Sequence, residues 1–207
     1  MLILACGALA REIRHLVAHH SLEGVALECL PATLHNRPDR IPEAVRARLD
    51  RAAGRFDRIL VGYGDCGTGG RLDALCDEYR GRPEFEGTTI SRMPGAHCYQ
   101  FFTGHDTFLA MHERDPAVFY LTDYLVTHFE RVIMEGLGIT AHPELRDLYF
   151  GNYTTMIHLA QTDDPLLEER ARAAAHRLGL AFDRVPTGFG ELESEVVRIA
   201  APSGTRA

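Results

Sequence analysis

A chain of 207 residues, 45% of them hydrophobic, is long enough to bury a full core, and its length suits one domain or two small lobes. Its 22 basic residues are scattered among 29 acidic ones, and the net charge of -7 supplies no basic field for nucleic acid or anionic lipid. No apolar stretch approaches the roughly 18 to 20 residues of a membrane-spanning helix, and the amino terminus lacks a charged lead before an apolar core.

A cytoplasmic protein with neither nucleic-acid nor membrane partner is therefore expected, its oligomeric state unread. In that compartment the five cysteines, Cys6, Cys29, Cys66, Cys76 and Cys98, do not read as a disulfide framework. They are metal ligands, reactive thiols or core residues.

Met1 to Cys6 is a short apolar run, followed by Leu9, Ile13, Leu16 and Val17 at helical spacing within Ala8 to His20. Val25 to Leu30 reads as the second strand, and Ile41 to Ala53 as a helix with Pro42 in its first turn, where proline is tolerated. Phe56 to Gly62 is the third strand, Leu72 to Tyr79 a helix and Thr88 to Arg92 a fourth strand. A helix around Asp106 to His112 precedes the strand Ala117 to Leu121, and Asp123 to Gly136 reads as helix. Thr154 to Ala160 and Ala181 to Val185 are strands on either side of the helix Pro165 to Leu178, and 201–207 reads as a frayed tail.

Strands alternating with helices of about 10 to 14 residues predict an α/β fold: a mostly parallel sheet with helices on both faces, three-layered and Rossmann-like. One domain spans the chain, with 1–85 and 86–200 as two pseudo-repeated βαβ halves.

In such a sheet every strand delivers its following loop to the same edge, where ligands bind. The loops so delivered carry Cys6, then His35-Asn36, then Asp65-Cys66-Gly67-Thr68-Gly69-Gly70, then His97-Cys98-Tyr99, and later Asp123 and Gln161. The third of these loops is the most site-like. Its glycines allow positive φ, successive N–H groups there suit an anion, and a thiol ahead of a helix is favoured as thiolate by the helix dipole. No Walker or GxGxxG pattern is present, so nucleotide binding is not indicated.

Zinc or ferrous iron takes thiolate and imidazole ligands, and a catalytic site keeps three protein ligands plus an open position. Cys66, His97 and Cys98 form the candidate metal set, with Cys6 or His35 as a fourth group. Asp65 and Asp123 join Cys66 and His97 as candidate catalytic residues, and Asn36, Tyr99, Tyr153 and Gln161 are secondary ligand contacts.

Bland readings compete with these. Cys29 and Cys76, inside a strand and on a helix, read as core thiols. Asp123 reads first as a helix cap, since aspartate is a preferred cap. His105 and His158 carry no signal, and the acidic run Glu191 to Glu195 reads as a solvated face.

Seven segments together are similar to the domain-of-unknown-function 1638 family: ACGALAREI from Ala5, LPATLHNRPDRI from Leu30, YGDCGTGG from Tyr63, HCYQFF from His97, YLTDYLVTHFE from Tyr120, HPELRDLYFGNY from His142 and LAQT from Leu159. Gln100 stands where the family pattern often has glutamate, so it is given no acid–base role. The resemblance implies an association with corrinoid-dependent methyltransferases, and so a place in one-carbon or methylamine metabolism with a corrinoid or a methyltransferase as cofactor or partner.

Three functions follow as expectations. The first is a metal-dependent transferase, lyase or hydrolase acting on a small polar metabolite. The second is a non-catalytic carrier of a metal or corrinoid for a methyltransferase. The third is a metal-free enzyme with Cys66 as nucleophile and His97 as its base.

Overall fold

Leu2, Ile3, Leu4 and Ala5 have no exposed surface, and a strand buried on both sides must lie inside a sheet covered on both faces. In the computed structural model, which describes residues 1–201, this strand is β1 (Leu2–Cys6). The tail at 202–207, expected to be frayed, lies outside the described residues. The chain divides into two compact units, Met1–Cys98 with 191–201, and Tyr99–Gly190.

In the first unit β1 leads through α1 (Ala10–His19) to β2 (Ala26–Leu30), then through α2 (Ile41–Ala52) to β3 (Arg58–Gly62) and through α3 (Arg71–Arg80) to β4 (Thr89–Arg92). All four strands are parallel, in the order β2-β1-β3-β4. Leu2, Leu4, Ile59 and Val61 share a core with Val45, Leu49, Leu72 and Tyr79, which fixes α2 and α3 on one face.

The alternate residues Ile3, Ala5 and Leu60 are equally buried. Right-handed crossover sends α1, whose connection runs the opposite way across the sheet, to that second face. The end of α1 meets a carboxy-terminal helix (Gly190–Ala200), His20 Nε2 lying 2.6 Å from Glu193 Oε1. The acidic run expected to be a plain solvated face opens this helix, which turns Leu192, Val196 and Ile199 inward.

Where β1 and β3 pair, a Cβ at Gly62 would sit 2.8 Å from Ala5 Cβ, so only glycine lets the two central strands close up.

The second unit runs α4 (Tyr99–Thr103), α5 (His105–Arg114), β5 (Val118–Thr122), α6 (Asp123–Thr127), α7 (Leu145–Phe150), β6 (Thr155–Ala160), α8 (Pro165–Leu178) and β7 (Ala181–Pro186). Its three strands are parallel in the order β5-β6-β7. Leu121 and Met156 pack with Val126, Leu167 and Ala171 of α6 and α8, while Tyr120, Ile157 and Leu159 face Phe108 of α5. Both sheets are thus the middle layer of three.

Two expectations change here. The strands form two sheets and not one, because β4 pairs only with β3 and β5 only with β6, so each sheet has its own carboxyl edge. The expected helix over 123–136 stops at Thr127 and resumes as a π-helical turn (Glu130–Glu135), which buries the consecutive residues Val132, Ile133 and Met134. Among the described residues, no helix is long and apolar enough to cross a membrane.

Candidate functional site

The loop from Tyr63 to Gly70 is fastened to the loop that follows β4. Asp65 N–H donates to Gly95 O at 2.9 Å and Cys66 N–H to Ala96 O at 2.8 Å. Asp65 then closes its own loop: its carboxylate accepts from Gly70 N–H at 2.7 Å, Gly69 N–H at 3.1 Å and the Thr68 hydroxyl at 3.0 Å. Those backbone donors, with help from Thr68 and Arg92, outweigh desolvation and hold the carboxyl below its usual range.

Of Gly67, Thr68, Gly69 and Gly70, expected to bind an anion, three have their amides engaged within the loop: Asp65 takes the amides of Gly69 and Gly70, and Asp65 O takes that of Thr68. The glycines serve the turn instead: Gly67, Gly69 and Gly70 all have positive φ. Cys66 does too, at 49°, an uncommon conformation for a residue with a side chain.

Cys6, at the end of β1, and Cys66 pack against one core cluster together with Tyr63. Burial, and then the neighbouring Cys6, pushes the Cys66 thiol up to about 11. The expectation of a thiolate is therefore corrected: desolvation dominates, and the dipole of α3, which starts only at Arg71, does not compensate. Tyr63 is likewise pushed up, first by burial and then by Cys6, and its hydroxyl is buried. Cys76 is fully buried on α3, as a core thiol should be.

His35 lies in the 3-10 turn Ala32–Asn36 after β2. It is exposed, yet the protein around its ring and then the proximity of His97 lower its pKa. Cys6 and Cys66 thus neighbour one another, as do His35 and His97. Cys66, His97 and Cys98 do not form the expected triad: among the described residues no three His, Cys, Asp or Glu side chains are grouped to hold an ion. Asn36 is exposed.

Arg92, the last residue of β4, is a participant that motif reading misses. Its guanidinium is bidentate to Asp73 at 2.7 and 3.0 Å and donates to Met93 O at 2.7 Å, anchoring the β4 loop to α3.

In the second unit the capping role expected of Asp123 belongs to Thr122, whose hydroxyl accepts from Leu125 N–H. Asp123, only 2% exposed, turns inward. Its carboxylate lies 2.9 Å from His158 Nε2 and accepts from Gln161 N–H at 3.2 Å, Thr162 N–H at 3.0 Å and the Thr162 hydroxyl at 2.6 Å. The Gln161 side chain returns the contact by accepting from Asp123 N–H at 2.7 Å. Burial alone would raise Asp123, but His158, Thr162 and Gln161 outweigh it and keep the carboxyl low.

His158 is 1% exposed and its Nδ1 has no hydrogen-bond partner among the described residues. A usable signal exists in its setting, because a histidine between Ile157 and Leu159 in a buried strand needs a polar partner.

The secondary candidates are less site-like. The Tyr99 hydroxyl donates to Tyr120 O at 3.1 Å. Tyr153 precedes β6, at the opposite end from the carboxyl edge, and packs in an aromatic group with Phe119 and Phe150. Gln100 is buried, its amide 3.0 Å from the His105 ring.

The family model described as Protein of unknown function (DUF1638) matches residues 29–196, a span from β2 almost to the end of the carboxy-terminal helix. The chain belongs to this family. No curated protein and no solved structure matches it.

The DUF1638 chain therefore presents two separate sets of chemistry. At the edge of its first sheet are protonated thiols, a buried tyrosine and a neutral imidazole beside a second one. At the edge of its second sheet is a buried carboxylate with every donor around it engaged. The first set has groups able to give or take a proton; the second is built to hold its charge in place.

Proposed function

We propose that this DUF1638 protein is a cytoplasmic enzyme acting on a small polar metabolite at the carboxyl edge of its first sheet. One observation supports the reading: Cys6 and Cys66, which follow β1 and β3, pack on one core cluster and feel each other electrostatically, as do His35 and His97, which follow β2 and β4. Parallel sheets place their ligands at this edge. His35, its pKa lowered, is neutral at pH 7 and able to accept a proton, whereas Cys66 and Tyr63 keep theirs.

Thiol and imidazole donors are of the type that zinc or ferrous iron takes. The donor chemistry fits such an ion, but the grouping does not, since the donors stand as two pairs and no three share a point among the described residues. One-carbon or methylamine metabolism, with a corrinoid protein or methyltransferase as partner, is the setting of this reading and rests on the family resemblance.

A second reading, a non-catalytic carrier that holds an ion or corrinoid for a methyltransferase, rests on the family resemblance.

Elemental analysis of protein purified without a histidine tag, beside Cys66→Ser and His97→Ala, tests the ion. Stoichiometric zinc or iron in the wild type and its loss in both variants is the supporting result, and an ion-free wild type removes the metal. Thermal-shift titration with methylated amines and small carboxylates tests the metabolite. Shifts that are the same in wild type, His35→Ala and Cys66→Ser would sink the proposed edge.

A further inference from the structure

The second unit carries a groove of about 500 Å³ that involves none of the candidate site residues described above. One wall is Val126 to Arg131, where α6 passes into the π-helical turn; the other is the stretch of α8 from Arg170 to Arg177. Its floor is apolar, with Val126, Phe129 and Ala174 all buried.

Its rim is cationic. Arg131, Arg170 and Arg177 stand against a single carboxylate, Glu130, in a chain whose net charge is -7. Glu130 is already ion-paired with Arg177. Arg131 and Arg170 are exposed and make no ion pair among the described residues, so two guanidiniums face the groove uncompensated. His128, on the same wall, is kept neutral by burial and by Arg131, and adds a polar contact without charge.

Guanidinium groups match oxyanions bidentately, and clefts of roughly 300 to 1,000 Å³ suit small ligands. The wall contributed by the π-helical turn agrees with the tendency of such turns to occur at functional sites.

We propose that this groove binds a small organic oxyanion, a phosphate or carboxylate carried on an apolar body, with Arg131 and Arg170 taking the oxyanion and Val126, Phe129 and Ala174 the body.

Isothermal titration of the full chain with phenyl phosphate, benzoate and inorganic phosphate at constant ionic strength tests the proposal. Phenyl phosphate or benzoate is expected to bind at least tenfold more tightly than inorganic phosphate, and the tighter of the two identifies the headgroup. Arg131→Ala combined with Arg170→Ala is expected to weaken that binding at least tenfold. Ala173→Phe, which fills the groove from an exposed position and leaves both arginines in place, is expected to do the same. All three substitutions are at exposed positions, and urea midpoints equal to wild type establish that the variants fold. No binding beyond that of sodium chloride, equal affinity for all three anions, or undiminished binding by either folded variant overturns the proposal.

Discussion

Asp123 Oδ1 and His158 Nε2 meet at 2.9 Å inside the second unit, with each residue at most 2% exposed. The pair joins the start of α6 to the middle of β6, and Gln161 and Thr162 complete the shell around the carboxylate. Removing the carboxylate leaves an imidazole, two backbone amides and a hydroxyl without their acceptor. Asp123→Ala is therefore expected to cost about 1 to 3 kcal/mol or more, the range for leaving a buried hydrogen-bond donor without its partner. Urea unfolding measures it, and a loss below about 1 kcal/mol would show that the shell relaxes or fills with water.

The same network predicts a dependence on acid. Asp123 titrates lower in the folded state than its ordinary value, so the folded chain keeps this charge at a pH where the unfolded chain has taken up a proton. The stabilisation is complete above the unfolded pKa of about 4 and is lost as pH falls through the lower, folded value. Between those two values the contribution to the slope approaches about 1.4 kcal/mol per pH unit. Asp65 acts in the same direction and is present in both proteins to be compared. Urea midpoints from pH 5 downward are expected to fall less steeply in Asp123→Asn than in wild type. Parallel acid limbs would mean that Asp123 is protonated, or unstrained, in the fold.

The seven strands of the described residues are legible in the sequence because each is built around apolar or β-branched residues and lies between loop signals. Their division into two sheets is not, since nothing local in Arg92 or Val118 states which strand lies alongside. The gathering of Cys6, His35 and Cys66 at one edge follows from parallel topology alone. What each of these side chains does there depends on burial and partners, which spacing does not encode. Asp65 illustrates the gap: in the sequence it is a carboxylate beside a thiol, and in the fold its oxygens are occupied by its own loop. His158 is invisible to motif reading because its partner Asp123 is 35 residues away and on another strand's loop.

The thiol of Cys66 offers a chemical test of desolvation. With a pKa pushed up from 9.0 to about 11, its thiolate fraction at pH 7.5 is roughly 100 times smaller than that of an unperturbed cysteine. Alkylation by iodoacetamide, followed by peptide mass analysis, is expected to label Cys66 at least about a hundredfold more slowly than the same site in urea. Cys6→Ala removes the second cause of the shift and is expected to speed labelling, leaving burial as the remaining brake. Labelling as fast as in the unfolded chain would return Cys66 to the role of an activated nucleophile.

The close approach of β1 and β3 is what brings Cys6 level with Tyr63, and it depends on Gly62 facing Ala5. Gly62→Ala puts two methyl groups 2.8 Å apart between central strands that have no room to separate, and overpacking of this kind costs about 1 to 3 kcal/mol. If the cause is that single contact, Ala5→Gly in the same chain removes the clash. The double variant should then recover stability that the two single changes, added together, would not predict. Additive losses in the double-mutant cycle would place the cost of Gly62→Ala elsewhere, in the strand's backbone and not in its neighbour.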